Sequence, residues 1–224
     1  MTINIFNTIS GKKEQFIPID PAHIKIYVCG PTVYEDPHLG NARSTIIYDI
    51  LFRLLQKTYP QVSYVRNITD IDDKIIIAAK NKKISINELT KKVIKNFHSD
   101  MDKLNILPPT FEPKATENIS EMIEMIQNLL EKNHAYQSNG HILFAVDSFA
   151  DYGKLSNRIL SDLNAGARIK IEEYKKNPLD FVLWKPKAID DADDSVFQSP
   201  WGDGRPGWHI ECSAMSSKYL GNNF

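Results

Sequence analysis

Residues 24–67 read IKIYVCGPTVYEDPHLGNARSTIIYDILFRLLQKTYPQVSYVRN, and this stretch decides the fold. IKIYVC, from Ile24 to Cys29, is short and dense in β-branched and aromatic residues, the composition of a buried strand. GPTVYEDPH follows as a turn, because Pro31 and Pro37 have no place inside a helix. From there Leu39, Ala42, Ile46, Ile47, Ile50, Leu51, Leu54 and Leu55 recur at spacings of three and four. That spacing predicts one apolar helix face, ended by Pro60. Val62 to Asn67 alternates like a second strand. Strand, turn, helix, strand is a βαβ unit, so the expected class is α/β with a parallel sheet. One such unit is half of a doubly wound sheet, which predicts further sequence beyond this chain.

Outward from this unit, Ile71–Lys80 and Ser85–Asn105 are expected helices, with Ser85 and Asn87 as candidate caps. Pro108 and Pro109 punctuate the chain, and Thr116–Lys132 is a third amphipathic segment. The pattern then changes. Tyr136, the Ser-Asn-Gly turn at 138–140 and HILFAV predict a β-hairpin. Further short strands are expected from Tyr152 to Lys187, including DFVLW at 180–184, and a final helix behind Pro206 and Gly207. The expected organisation is a parallel α/β unit over 1–114, an α+β insertion over 115–200, and a return to the first unit over 201–224.

The 224 residues carry 27 basic and 28 acidic side chains, and 42% are hydrophobic. This excludes a disordered tail, a fibre and a disulfide scaffold. It also removes the basic excess by which many nucleic-acid binders announce themselves, although Lys91, Lys92 and Lys95 mark one basic helical face. Asp190, Asp191, Asp193 and Asp194 form an acidic loop, read as solvated surface. No apolar run reaches the roughly 18 residues needed to cross a bilayer, and the first residues lack the pattern of a signal peptide. Cys29 and Cys212 are therefore expected as reduced thiols in a cytoplasmic protein.

Three places carry chemistry. Ligands of open parallel sheets bind outside the carboxyl ends of the strands. The first expected strand delivers Cys29, Gly30, Pro31, Thr32, His38, Gly40 and Asn41 there. His38 and Asn41 flank a helix N-terminus, which attracts phosphate, or else His38 simply caps the helix and Asn41 is surface. After the second strand, Thr69 is placed to bind a small ligand, and Asp70, Asp72 and Asp73 either hold an amino group or start a helix. Third, GRPGWHIECSAM at 204–215 brings Trp208, His209, Glu211 and Cys212 together near a helix start. Cys, His and Glu are zinc-type ligands, but two lone cysteines are a weak metal signal and buried structural thiols are commoner.

YVCGPTVYEDPHLGNAR (27–43), YVRNITDIDDKI (64–75), NPLDFVLWK (177–185) and PWGDGRPGWHIECSAM (200–215) resemble the cysteinyl-tRNA synthetases, in order and over essentially the whole chain. The resemblance implies a class I aminoacyl-tRNA synthetase with a Rossmann-like catalytic domain split by a connective insertion. Such an enzyme activates L-cysteine with ATP and Mg2+, releases pyrophosphate and transfers the cysteinyl group to the 3′ end of tRNA(Cys). The resemblance puts zinc on Cys29 and Cys212, with its other two ligands downstream of this chain rather than at His209 or Glu211. It implies Gly30, Thr69 and Trp208 for the amino acid. Pro31, Thr32, His38, Gly40 and Asn41 fall to ATP, with His38 and Asn41 as catalytic groups. A zinc ion selects a thiol over the harder serine hydroxyl, which removes a need for editing. Monomeric action in the cytoplasm, away from membranes, is also implied. The usual His-Ile-Gly-His signature stands here as His38, Leu39, Gly40, Asn41.

Two other readings compete. One is a relative that joins cysteine to an amino sugar by the same activation chemistry. The other is an inactive module that keeps a cysteine or nucleotide crevice.

Overall fold

A computed structural model describes residues 2–157, 172–189 and 191–224. Strands β3 (His23–Val28) and β4 (Gln61–Arg66) run parallel, in register from His23 opposite Gln61 to Val28 opposite Arg66. Helix α1 (Leu39–Thr58) connects them, completing the expected βαβ unit. Pairing continues past the strands: Val33 N–H donates to Thr69 O at 3.1 Å, and Thr69 N–H donates to Pro31 O at 3.0 Å. On the far side of β4, Arg66 N–H donates to Phe111 O and Ile68 N–H to Pro113 O. The β4 backbone is thus satisfied on both edges, which explains its nearly continuous burial.

The face that α1 buries differs from the apolar stripe. Thr45, Asp49, Phe52 and Leu55 are buried, while Leu39, Ile46, Ile47 and Ile50 are exposed. Asp49 tolerates burial because its carboxylate accepts from Leu107 N–H at 3.0 Å and from Arg53 Nε at 2.7 Å.

Helices α2 (Asp73–Lys82) and α3 (Ile86–Lys103) form a hairpin over Val33 and Ile68, closed at Lys83 with φ 55°. Ser85 caps α3, as expected, whereas Asn87 lies inside its first turn. After a 3-10 turn at Ala115–Asn118 comes α4 (Ile119–Glu131). Strands β5 (Ala135–Ser138), β6 (His141–Phe144), β7 (Phe181–Pro186) and β8 (Gly204–Pro206) build an antiparallel sheet in that order. Asn139 and Gly140 turn the β5–β6 hairpin with φ 46° and 77°, the left-handed pair that an Asn-Gly turn supplies at low strain. Of the further strands expected over 152–187, β7 forms, and residues 158–171 lie outside the described residues.

Helix α5 (Trp208–Leu220) follows β8 directly. Its Ile210, Ala214 and Met215 share one core with Met122, Ile126, Ile142, Leu183 and Trp184. The antiparallel sheet therefore extends beyond residue 200 and packs continuously on the last helix. The acidic loop is not merely solvated surface. Asp191 pairs with Arg205 at 2.6 Å and Asp194 accepts from Ile86 N–H at 3.0 Å, while Asp190 lies outside the described residues. A further hairpin, β1 (Asn4–Asn7) with β2 (Lys12–Gln15), lies exposed near the start of the chain. Among the described residues, no helix is long and apolar enough to cross a membrane.

Candidate functional site

The carboxyl ends of β3 and β4 open under the first turn of α5, and Cys29 and Cys212 meet there. Cys212 Sγ donates to Cys29 Sγ at 3.3 Å across 183 residues of sequence. Both thiols are free. The donated hydrogen bond holds the Cys29 thiol below its ordinary pKa, and the same bond, with burial, pushes Cys212 up. Cys29 is thus the sulfur that ionises first.

Asn67 organises the floor. Its side chain is fully buried. Its Oδ1 accepts from Gly30 N–H at 2.9 Å, from Tyr27 OH at 3.2 Å and from Cys212 Sγ at 3.8 Å. Its Nδ2 donates to Thr69 Oγ1 at 3.3 Å, and Thr69 Oγ1 donates to Glu211 Oε2 at 2.9 Å. One carboxamide thereby ties both strand ends to the helix that carries Cys212. Burial drives the Glu211 carboxyl up to about 9, so it is protonated at neutral pH. Gly30 is required by close approach: a Cβ there would lie 1.5 Å from the Asn67 carbonyl oxygen.

His38 and Asn41 cap α1 reciprocally. His38 Nδ1 accepts from Gly40 N–H at 3.0 Å, and Asn41 Oδ1 accepts from His38 N–H at 3.0 Å. An accepting Nδ1 places the ring proton on Nε2, so a neutral imidazole offers a donor on its other side. Asn41 likewise keeps its Nδ2 donors uncommitted among the described residues. Capping and ligand binding are therefore compatible here. The helix N-terminus adds its positive dipole end to the same rim, while the N–H groups of Gly40, Asn41 and Ala42 all donate to His38. A Cβ on Gly40 would lie 2.7 Å from the His38 ring, so glycine keeps the imidazole in place.

The remaining predicted residues divide. Pro31 and Thr32 sit in the turn between β3 and α1, hydrogen-bonded or bridged to Thr69. Trp208 opens α5 beside the His209 ring, 5.4 Å between centroids, and is half exposed. The acids after β4 do not converge on a ligand. Asp70 accepts from Thr116 N–H and Oγ1, Asp72 caps α2, and Asp73 pairs with Lys185 and Arg205. His209 packs on Phe181 at 4.7 Å, and Glu211 is committed to Thr69. Among the described residues, no group of three or more His, Cys, Asp or Glu side chains is placed to hold a metal. Sequence reasoning missed Asn67, whose signal is a carboxamide ending the apolar run VSYVRN, where strand polarity has no solvent to meet.

The chain matches the family model described as tRNA synthetases class I (C) catalytic domain over residues 15–224. It belongs to that family. Among curated relatives it is 56% identical to the Cysteine--tRNA ligase of Wolbachia pipientis subsp. Culex pipiens (strain wPip), over 99% of this chain and 48% of the relative. It is 54% identical to that of Rhodospirillum rubrum, over 100% of this chain and 48% of the relative. For that of Ehrlichia canis (strain Jake) the figure is 57%, over 98% and 48%. The chain spans about half the length of the curated relatives it matches. For a member of this family, the crevice above β3 and β4 is the candidate catalytic site.

Proposed function

We propose that this chain is the N-terminal part of a cysteine–tRNA ligase, which activates L-cysteine with ATP and Mg2+ and transfers it to tRNA(Cys). The observation that carries the reading is the meeting of two thiols, 3.3 Å apart, at the carboxyl ends of a parallel strand pair. In this reading residues 1–114 and 201–224 belong to the catalytic domain and 115–200 form the connective insertion, in a protein that acts as a cytoplasmic monomer.

Cys29 and Cys212 supply two ligands of a zinc ion. Two free thiols already in contact, one of them readily ionised, are donors of the kind that would hold zinc. The donor chemistry fits, and the pair would be half of a four-ligand site. When bound, that zinc supplies a Lewis-acidic position that takes a substrate thiolate and discriminates against a hydroxyl.

The chain's own residues do the rest. Thr69 and Gly30 border the sulfur pair, and with Trp208 they line the amino-acid pocket. Pro31, Thr32 and Gly40 shape the turn against which ATP lies. His38 Nε2–H and the Asn41 amide donate to the phosphoryl oxygens as charge builds on them, without giving up a proton. Supporting this role, both side chains are already fixed by their reciprocal cap.

The test is cysteine-dependent ATP–pyrophosphate exchange, on protein expressed from the uninterrupted reading frame that contains this chain. Exchange that requires cysteine and ignores serine is expected, followed by charging of tRNA rather than of an amino sugar. Cysteine-independent or absent exchange from folded, zinc-loaded protein overturns the reading in favour of a binding module.

A further inference from the structure

Behind the Cys29–Pro31 turn lies a cavity of about 80 Å³, closed by β4 on one side and by α1 on another. Alternation along VSYVR puts Tyr64 and Arg66 on the same face of β4, and both line this cavity. The Arg66 side chain is 5% exposed. Its guanidinium lies over the Phe97 ring, 5.1 Å from the centroid, and one Nη2–H donates to Glu112 Oε1 at 2.7 Å. Nε, Nη1 and the phenol oxygen of Tyr64 have no well-aligned hydrogen-bond partner, although the guanidinium lies close enough to the phenol to oppose the rise that burial gives its pKa. Asn41, Ser44 and Thr45 of α1 add an amide and two hydroxyls to the wall, and no carboxylate lines it.

A buried guanidinium with two idle donor groups is rare, because burial of an unmatched cationic donor is costly. Its counter-charge is the Glu112 carboxylate, whose other oxygen, Oε2, meets His98 Nε2 at 2.5 Å. A guanidinium fork matches tetrahedral oxyanions edge-on through paired N–H bonds. We propose that this cavity is a binding site for a small tetrahedral oxyanion of the phosphate type, held by the Arg66 Nε–H and Nη1–H pair with Tyr64 OH as third donor. The mouth at Cys29, Gly30 and Pro31 admits either a free anion or the phosphate end of a larger molecule. The cavity shares Cys29, Gly30, Pro31 and Asn41 with the site proposed above and the inference rests on that reading to this extent; Arg66 and Tyr64, which that reading does not use, set the cavity apart.

The test uses protein labelled with 15N at arginine Nε, titrated with sodium phosphate against sodium chloride of matched ionic strength. The Arg66 Nε–H resonance, assigned by its loss in Arg66→Lys, is expected to shift saturably with phosphate and not with chloride. Tyr64→Phe, which removes one oxygen and preserves the ring packed on Phe52 at 5.2 Å, is expected to weaken phosphate binding about tenfold with unchanged circular dichroism. A matching shift with AMP assigns the site to esterified phosphate, and a shift with inorganic phosphate alone assigns it to the free anion. A resonance that ignores phosphate, or follows chloride equally, overturns the proposal. So does a crystal structure grown in phosphate with only waters in the cavity.

Discussion

Glu211 is a protonated acid held next to a thiol pair, and its environment makes a pH-dependent statement about stability. Burial lifts its folded value to about 9 from an ordinary 4.5. The folded state therefore binds a proton that the unfolded chain releases. The resulting stabilisation is complete below about pH 4.5 and is lost as pH rises toward 9, by at most about 1.4 kcal/mol per pH unit. Glu211→Gln in metal-free protein is expected to flatten the decline between pH 5 and 9, as read by urea unfolding at several pH values. An unchanged slope would mean that the carboxyl is ionised in the fold. The thiols answer to a different measurement. Cys29→Ser or Cys212→Ser in the complete polypeptide is expected to lower zinc retention about 10- to 100-fold or more, because each removes a ligand. Equal zinc content after dialysis against a chelator would remove both from the metal site.

At the scale of elements, the start of α1 serves two ends, and one substitution separates them. His38→Ala deletes a side-chain cap and is expected to lower stability by about 1 kcal/mol. It is also expected to slow cysteine-dependent exchange with little change in KM for cysteine, since His38 does not touch the sulfur pair or Thr69. A stability loss with a normal exchange rate would reduce His38 to a cap. The elements themselves were largely readable. β3, α1 and β4 stand within a residue or so of their expected bounds, because strand and helix periods are strongly marked in IKIYV and in Leu39–Leu55. The buried face of α1 was not readable. It is decided by Leu107 N–H and Arg53 reaching Asp49, and the first of these lies 58 positions away. The β1–β2 hairpin escaped for the opposite reason, since all four residues of KKEQ are exposed and carry no apolar alternation. The candidate site was legible at Cys29, Cys212 and Thr69, whose positions follow from topology. Asn67 and the pairing of Glu211 with Thr69 depend on contacts that no local spacing encodes.

At the scale of the molecule, the crevice is built from the two ends of the described chain. β3, β4 and α2–α3 supply one wall, and α5 closes the other after the antiparallel sheet has intervened. Joining the walls are the two sulfurs, Thr69 with Glu211, and Arg205 with Asp73 at 2.6 Å. The Arg205–Asp73 pair, with Asp191 on the other guanidinium nitrogen, anchors β8 to the start of α2. Against the opposing effect of burial, Lys185 and Arg205 hold the Asp73 carboxyl below its usual range, so this tie persists well into mild acid.

The thiol contact also dates the site in time. Its partners are separated by 183 residues, so they meet only after a large loop-closure entropy has been overcome, whereas the βαβ unit forms over short separations. During synthesis Cys29 emerges long before Cys212 exists and spends that interval as an uncovered thiol. In refolding, trapping of Cys212 by a thiol reagent is expected to remain fast after most helical signal has returned, and to slow only in the last phase, as the Cys29 contact and burial push its thiol up. Parallel decay of both signals would place the contact in the folding nucleus. The same separation leaves the nascent chain with one lone sulfur, whereas the folded protein holds the exposed Cys29 against a second free thiol, so that oxidation there can close on the neighbouring sulfur.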